Sequence, residues 1–353
     1  MKAVVLEEIN QITVREVEDP EELGIGELLI APRMVGICGS DVHYYRHGRI
    51  GDFVLKAPMI LGHEASGVII GVGAGVTGFS VGDRVAMEPG VPNLNSKASR
   101  IGMYNVDPDV RFWATPPVDG CLAEKVMHPA EFTYHLPPQV GFEEGALLEP
   151  LAVGVHAATK AQIHPGDIAA VAGCGTVGML TAAAALAGGA SKVFVSDVSS
   201  TKLEIAAGIP GIVPVDLKSQ SLEEAVMHET SGWGANVVFE ASGSLESYKT
   251  LWRIGAPGNC TVLIGMPVDS VPLDVVAVQS RETRIESVFR YANVYQRAID
   301  LVASGKINLK PFISKIFPFS DAVDAFERVA EGRPEDVKVQ IAMNQDLALA
   351  ASK

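Results

Sequence analysis

The sequence predicts an α/β chain in two parts: a β-rich domain and a doubly wound parallel sheet. Two observations carry this. In roughly the first 150 residues, short apolar stretches are separated by Gly, Pro and Asp, with no sustained helical period. From residue 166 onward, continuous apolar runs alternate with helix-like runs, as expected of strands covered on both faces by helices. A length of 353 residues also exceeds what one hydrophobic core usually serves.

Taken in order, residues 2–6, 27–31, 65–72 and 84–87 read as strands of a compact, barrel-like antiparallel domain. Residues 93–109 are polar and read as an irregular lobe. Residues 143–161 read as helical, interrupted at Pro150. The alternating part then runs strand 168–172, helix 176–188, strand 192–196, helix 202–207, and strands 237–239 and 261–264. A strand at 285–289 and a helix at 294–304 follow. A second helix spans 320–331, with Ser320 as N-cap and Ala322, Ala325, Phe326 and Val329 on one face. Residues 337–342 read as a closing strand, and 344–353 as a loose tail.

Composition narrows the function classes. The net charge is −14, from 42 acidic and 28 basic residues, which argues against a nucleic-acid or anionic-membrane partner. Cys38, Cys121, Cys174 and Cys260 form no C-x-x-C pair and no disulfide framework, which fits a reduced cytoplasmic compartment. The first residues turn acidic at once, unlike a signal peptide, and the apolar run 177–187 is too short to span a bilayer.

The stretch 36–64 concentrates chemistry. Cys38, His63 and Glu64 offer a thiolate, an imidazole and a carboxylate, the ligand types zinc prefers. Alone, each is more often a buried structural residue. Together, among Gly36, Gly39 and Gly62, they read as a metal site.

The second concentration is Gly173-Cys174-Gly175-Thr176-Val177-Gly178, a G-x-G-x-x-G motif between an apolar strand and a helix. In that context the glycines form a dinucleotide turn and the helix N-terminus favours a pyrophosphate. Asp197, at the end of the next strand, can bind both ribose hydroxyls and repel a 2′-phosphate, which favours NAD over NADP. Thr176 and Val177 within the motif, and Lys202 beyond Asp197, complete the cofactor candidates. A structural glycine turn with an exposed acid is the plain alternative.

These halves together resemble the zinc-dependent medium-chain dehydrogenase/reductase superfamily, and within it the sorbitol dehydrogenase-like polyol dehydrogenases. The resemblance rests on residues 36–45, Gly62-His63-Glu64, Glu88-Pro89-Gly90, Ala114-Thr115-Pro116-Pro117, 144–151, the glycine motif and Val288-Phe289-Arg290-Tyr291. It implies a GroES-like catalytic domain from residues 1–152 and 288–353, with a Rossmann NAD-binding domain, 153–287, inserted. It implies a homo-oligomer, commonly a tetramer, and a small-molecule polyol substrate. Many members bind a second, structural zinc through four cysteines after the metal motif. Residues 89–120 contain none, so one catalytic zinc per subunit is expected.

By the same resemblance Cys38, His63 and Glu64 hold the zinc, with Glu149 as a further ligand or the holder of its water. Ser40 and His43 relay the alcohol proton, with Glu149 as the competing base. Tyr44, Phe53, Phe112, Thr115, Arg290 and Tyr291 line the substrate pocket. The expected reaction is hydride transfer from a sugar alcohol such as sorbitol or xylitol to NAD, giving a ketose. A secondary alcohol, butanediol or threonine dehydrogenase is the enzymatic alternative. A non-catalytic nucleotide-binding protein is the alternative from another class.

Overall fold

The computed structural model describes residues 1–20 and 22–343. The tail expected over 344–353 lies outside the described residues. The backbone divides into two compact units: Met1–Glu149 together with the chain from Leu309 on, and Pro150–Asn308.

The first unit is built on a seven-stranded sheet. Its order is Thr133–His135, Arg84–Met87, Glu64–Val72, Glu27–Gly36, Lys338–Ala342 and Ile313–Pro318, and Val126–Pro129 also pairs with Glu27–Gly36. The last two strands of that order are parallel, and all other neighbours are antiparallel. Gln340 faces Gly36 and Ile341 faces Val35, so the C-terminal strand rejoins the first unit. Pattern alone could not place it there. A smaller sheet orders Gln11–Glu16, Lys2–Glu8 and Met59–Ile60. Leu6, Leu28, Ile30, Leu61, Ile69, Met87 and Phe326 are fully buried in the shared core. Each side chain of this size contributes about 1.5–3 kcal/mol on burial.

Against expectation, this unit contains a helix directly after the first metal candidate, Gly39–His47. Asp41, Tyr44 and Tyr45 are its buried residues. They lie at i, i+3 and i+4, but nine residues are too few to show a period, and one of the three is an acid. Gly48 ends the helix in the left-handed region at φ 66°, donating its N–H to Tyr44. The helical region near 143–161 is two helices, Phe142–Ala146 and Leu148–Ala161. The break falls at Leu147, and Pro150 sits in the second helix's first turn, where its missing N–H removes no helical bond. Ser320 is not an N-cap. It lies in the 3-10 turn Phe319–Asp321, its hydroxyl donates to the Asp321 carboxylate at 2.7 Å, and the helix is Ala322–Glu331.

The lobe at 93–109 is anchored by polar contacts. Asp107, nearly fully buried, accepts from the Asn93 N–H at 2.5 Å. Tyr104 donates to Glu88 Oε1 at 2.6 Å, and Tyr134 donates to Glu88 Oε2 at 2.9 Å. Burial raises the Glu88 pKa, and the two tyrosines partly offset it.

The second unit is a six-stranded, all-parallel sheet. Its order is Ile212–Asp216, Lys192–Asp197, Ile168–Ala172, Ala235–Glu240, Gly255–Leu263 and Arg284–Ser287. In chain order this is 3-2-1-4-5-6, the doubly wound arrangement. The winding reverses between Ile168–Ala172 and Ala235–Glu240, and ligands bind at that switch point, beyond the carboxyl ends of the strands. The strand expected at 285–289 is Arg284–Ser287. Helix Thr176–Ala187 is buried on nearly every face from Gly178 to Ala185, which explains its small apolar residues.

Candidate active site

The metal candidates converge in the first unit. Cys38 ends the turn after strand Glu27–Gly36, and His63 directly precedes strand Glu64–Val72, which pairs with it. One ligand atom each from Cys38, His63 and Glu64 lies within 4.8 Å of the others. A Cβ on Gly36 would stand 2.0 Å from Glu64 Oε2, so only glycine lets this carboxylate turn inward.

Two residues that the sequence reading did not single out complete the cluster. Asp41 is fully buried; its Oδ2 accepts from the Cys38 N–H at 3.0 Å and its Oδ1 from the Gly62 N–H at 3.2 Å. It faces His63 Nδ1 at 3.6 Å, an electrostatic contact longer than a hydrogen bond. Burial works against charge on both groups, and each offsets this for the other: His63 holds the Asp41 pKa down, while Asp41 and then Cys38 lift the His63 pKa well above its ordinary value. A carboxylate behind Nδ1 leaves Nε2 as the nitrogen for a metal. The available signal was the acid at the third helical position after Cys38, which makes a capping box.

Lys338, from the closing strand, is the second. It is almost completely buried and donates to Glu64 Oε1 at 2.6 Å, to Oε2 at 2.7 Å and to the Ile37 carbonyl at 3.0 Å. Burial pulls its pKa down, but Glu64 and then Cys38 more than reverse this. A lysine between Val337 and Val339 in the closing strand was the signal for it. The donor set fits zinc, because a carboxylate has about four lone-pair sites and Lys338 does not use them all.

The proposed relay and pocket residues group around this cluster in part. Ser40 opens the helix that Asp41 anchors. His43 lies on the same helix, with its ring 4.7 Å from that of His47; burial and then His47 hold its pKa below the ordinary value. Tyr44 is buried on that helix, and the Phe112 ring lies 5.6 Å from His63. Glu149 is buried in the first turn of Leu148–Ala161 and contributes to the raised Lys338 pKa. Thr115 donates its N–H to Phe112 at 3.2 Å. Phe53 is half exposed and lines a cleft of about 250 Å³ with Leu55, Met59 and Pro116. In the second unit, Arg290 lies over the Phe289 ring at 4.9 Å, and buried Tyr291 packs 6.0 Å from the Tyr295 ring.

The glycine motif occupies the switch point of the parallel sheet. A Cβ on Gly178 would fall 1.9 Å from the Gly173 carbonyl, so the helix can start here only with glycine. Thr176 and Val177 open that helix. Asp197 Oδ2 accepts from the Cys174 N–H and Oδ1 from the Ser199 N–H, both at 2.8 Å, so the acid also fixes the turn. Lys202 donates its N–H to Ser199 Oγ at 3.4 Å, and its carbonyl accepts from the Cys174 thiol at 3.5 Å. Burial, and then Asp197, push that thiol up to about 12.

The alcohol dehydrogenase GroES-like domain family matches residues 24–138, and the zinc-binding dehydrogenase family matches 176–304. The chain is 54% identical to a putative D-xylulose reductase of Rhizobium meliloti, over 97% of this chain and 99% of that one. It is 40% identical to the sorbitol dehydrogenase of Gallus gallus, over 96% and 95%. Among solved structures, 2R,3R-butanediol dehydrogenase from Bacillus subtilis superimposes with a TM-score of 0.89 at 27% identity, over 97% and 99%. The chain belongs to the zinc-dependent medium-chain dehydrogenase family, in its polyol dehydrogenase branch.

Proposed function

We propose that the chain is an NAD-dependent polyol dehydrogenase that interconverts a sugar alcohol, such as xylitol or sorbitol, and its ketose. The observation that carries this is the Cys38–His63–Glu64 triangle, with His63 and Glu64 buried, in a chain so similar to a D-xylulose reductase and a sorbitol dehydrogenase. Cys38, His63 and Glu64 would hold one zinc, with Glu149 in reserve as ligand or base. When bound, zinc polarises a substrate hydroxyl and lowers its pKa. Asp41 keeps the His63 ring oriented, and Gly36 keeps Glu64 turned inward. His43, neutral at physiological pH because its pKa is held down, accepts the alcohol proton through Ser40. Tyr44, Phe53, Phe112 and Thr115 are the proposed apolar and hydroxyl contacts, with Arg290 and Tyr291 binding polyol hydroxyls. Asp197 binds the ribose of NAD. The absence of cysteine in 89–120, where hydrogen bonds to Glu88 and Asp107 hold the lobe, supports one zinc per subunit.

A cytoplasmic homotetramer completes the reading. The four cysteines are unpaired, and among the described residues no helix is long and apolar enough to cross a membrane. In the stretch of chain leading to the edge strand Arg284–Ser287, the exposed apolar residues Met266, Val268, Val275 and Val276 suit a contact between copies. Light scattering on the eluted protein measures the assembly directly.

Initial rates with NAD and NADP over sugar alcohols, diols and threonine test the reaction. The expected order is xylitol or sorbitol first, with NAD well above NADP. The structural likeness to a butanediol dehydrogenase favours one second reading, a diol substrate, and faster turnover of butanediol than of every sugar alcohol would establish it instead. Zinc analysis and Cys38→Ser test the metal: a chain without zinc whose NAD-linked activity survives the substitution has no zinc catalysis.

A further inference from the structure

At the carboxyl ends of Ile168–Ala172, Ala235–Glu240 and Gly255–Leu263, three turns meet backbone to backbone. A Cβ on Gly173 would stand 2.9 Å from the Ser242 nitrogen, and one on Gly265 would stand 2.3 Å from the Gly243 nitrogen. Between them lies the Glu240 carboxylate, with no exposed surface. Its Oε1 accepts from the Ser242 N–H at 3.1 Å and from the Ser242 hydroxyl, and its Oε2 accepts from the Gly243 N–H at 3.0 Å. The Glu240 carbonyl accepts from Ile264 and Gly265 at 2.8 and 2.9 Å. Tyr248, also buried, donates to the Gly265 carbonyl at 3.3 Å. Among the described residues, no ion pair reaches Glu240.

A buried carboxylate without a counter-ion is expensive unless its hydrogen bonds are complete. Glutamate fits here because it is acceptor-only and every group facing it is a donor. The turns it joins, 241–244 and 264–266, flank the glycine motif at the switch point, where a dinucleotide binds. A donor set fixed before the ligand arrives raises affinity, because binding then carries no ordering cost.

We propose that Glu240 is a positioning residue for the cofactor: it locks the turns 241–244 and 264–266 against Gly173 and so preorganises the dinucleotide crevice. The proposal rests on the cofactor reading above. Glu240 itself touches no reacting atom.

The test is NADH affinity of the full-length, zinc-loaded protein, measured by nicotinamide fluorescence. Glu240→Gln preserves shape but sets an amide N–H against a facing N–H donor. The expected result is an NADH Kd weaker by about tenfold or more, with kcat at saturating cofactor and substrate within about twofold of the unaltered chain. Ser242→Ala removes one donor and leaves the charge. It should weaken NADH by about fivefold, and it carries the test if Glu240→Gln fails to fold. A carboxylate that serves only the fold would lower Tm and leave Kd and KM for the cofactor unchanged. Cofactor affinity within about twofold of the unaltered chain in the folded variants overturns the proposal, as does a loss confined to kcat. Failure of the unaltered chain to bind NADH would instead sink the cofactor reading itself.

Discussion

Glu64 and Glu240 are both fully buried carboxylates at strand ends, one in each unit. Glu64 meets an ammonium, Lys338, with both oxygens. Among the described residues, Glu240 meets backbone N–H groups and a hydroxyl. A charge balanced by another charge can also serve a third charge, and Glu64 keeps lone pairs toward Cys38 and His63. A charge balanced by backbone dipoles fixes the backbone that supplies them. The first arrangement suits a ligand for a cation, and the second suits the floor of a binding crevice.

The sharpest way to break this comparison is Lys338→Met. It leaves Glu64 buried with no counter-ion, which should cost about 3–5 kcal/mol in metal-depleted protein. Adding Glu64→Gln removes the stranded charge, so the double variant should be more stable than Lys338→Met alone. Zinc should raise the Tm of Lys338→Met more than that of the unaltered chain, because the metal then supplies the missing positive charge. Calorimetry with and without zinc measures all three. Equal Tm losses in the single and double variants would show that Lys338 does not balance Glu64.

A third buried carboxylate, Glu88, takes tyrosine hydroxyls, and its carbonyl contacts the Nε2 of buried His128 at 3.0 Å. Burial first of all lowers the His128 pKa to about 4. Between pH 6.5 and 4 the unfolded chain therefore binds the proton and the folded one does not, so stability falls as pH falls through that window. The drop from 6.5 to about 4 corresponds to roughly 3 kcal/mol. His128→Gln should flatten the acid limb of Tm against pH. Glu88 has the opposite sign: its raised pKa favours the folded state in acid, and that contribution is lost as pH rises through the folded value. Glu88→Gln should therefore steepen the same limb. An unchanged acid limb in His128→Gln would remove His128 from the account.

Asp41 stands behind His63 as Glu240 stands behind the glycine turn, but its effect is read on a metal. Asp41→Asn keeps the shape and removes the charge facing Nδ1. Zinc affinity, measured by competition with a chelator, should weaken by about 10- to 100-fold. Retained affinity would reduce Asp41 to a helix cap.

How legible these regions were depended on whether the signal was local. Gly173, Gly175 and Gly178 follow one another between a strand and a helix, so motif and context could be read together. Cys38, His63 and Glu64 were legible through residue type and their glycine surroundings. Asp41 was passed over because its helix is too short for a period and it buries an acid. Lys338 reaches Glu64 across 274 residues, and that pairing exists only once strand Lys338–Ala342 docks on Glu27–Gly36. Glu240 is one acid at the end of an apolar strand. Its role rests on how closely turns 241–244 and 264–266 approach, which no residue type announces.

The smallest expected effect concerns a polar group with neither kind of partner. Thr181 is fully buried in helix Thr176–Ala187, and among the described residues its hydroxyl has no hydrogen-bond partner. Glu64 tolerates burial because an ammonium pairs with it and Glu240 because hydrogen-bond donors meet both of its oxygens, whereas an unfilled hydroxyl should only subtract. Thr181→Val keeps the branched shape and removes the unmet group, so it should stabilise the second unit by about 1 kcal/mol. The same change at a satisfied hydroxyl, Thr261, which donates to Asn259 at 3.1 Å, should destabilise instead. Opposite signs in urea unfolding of the two variants would support partner completeness, over burial alone, as what decides which polar groups this unit tolerates. A loss of stability in Thr181→Val would show that its hydroxyl is satisfied in solution.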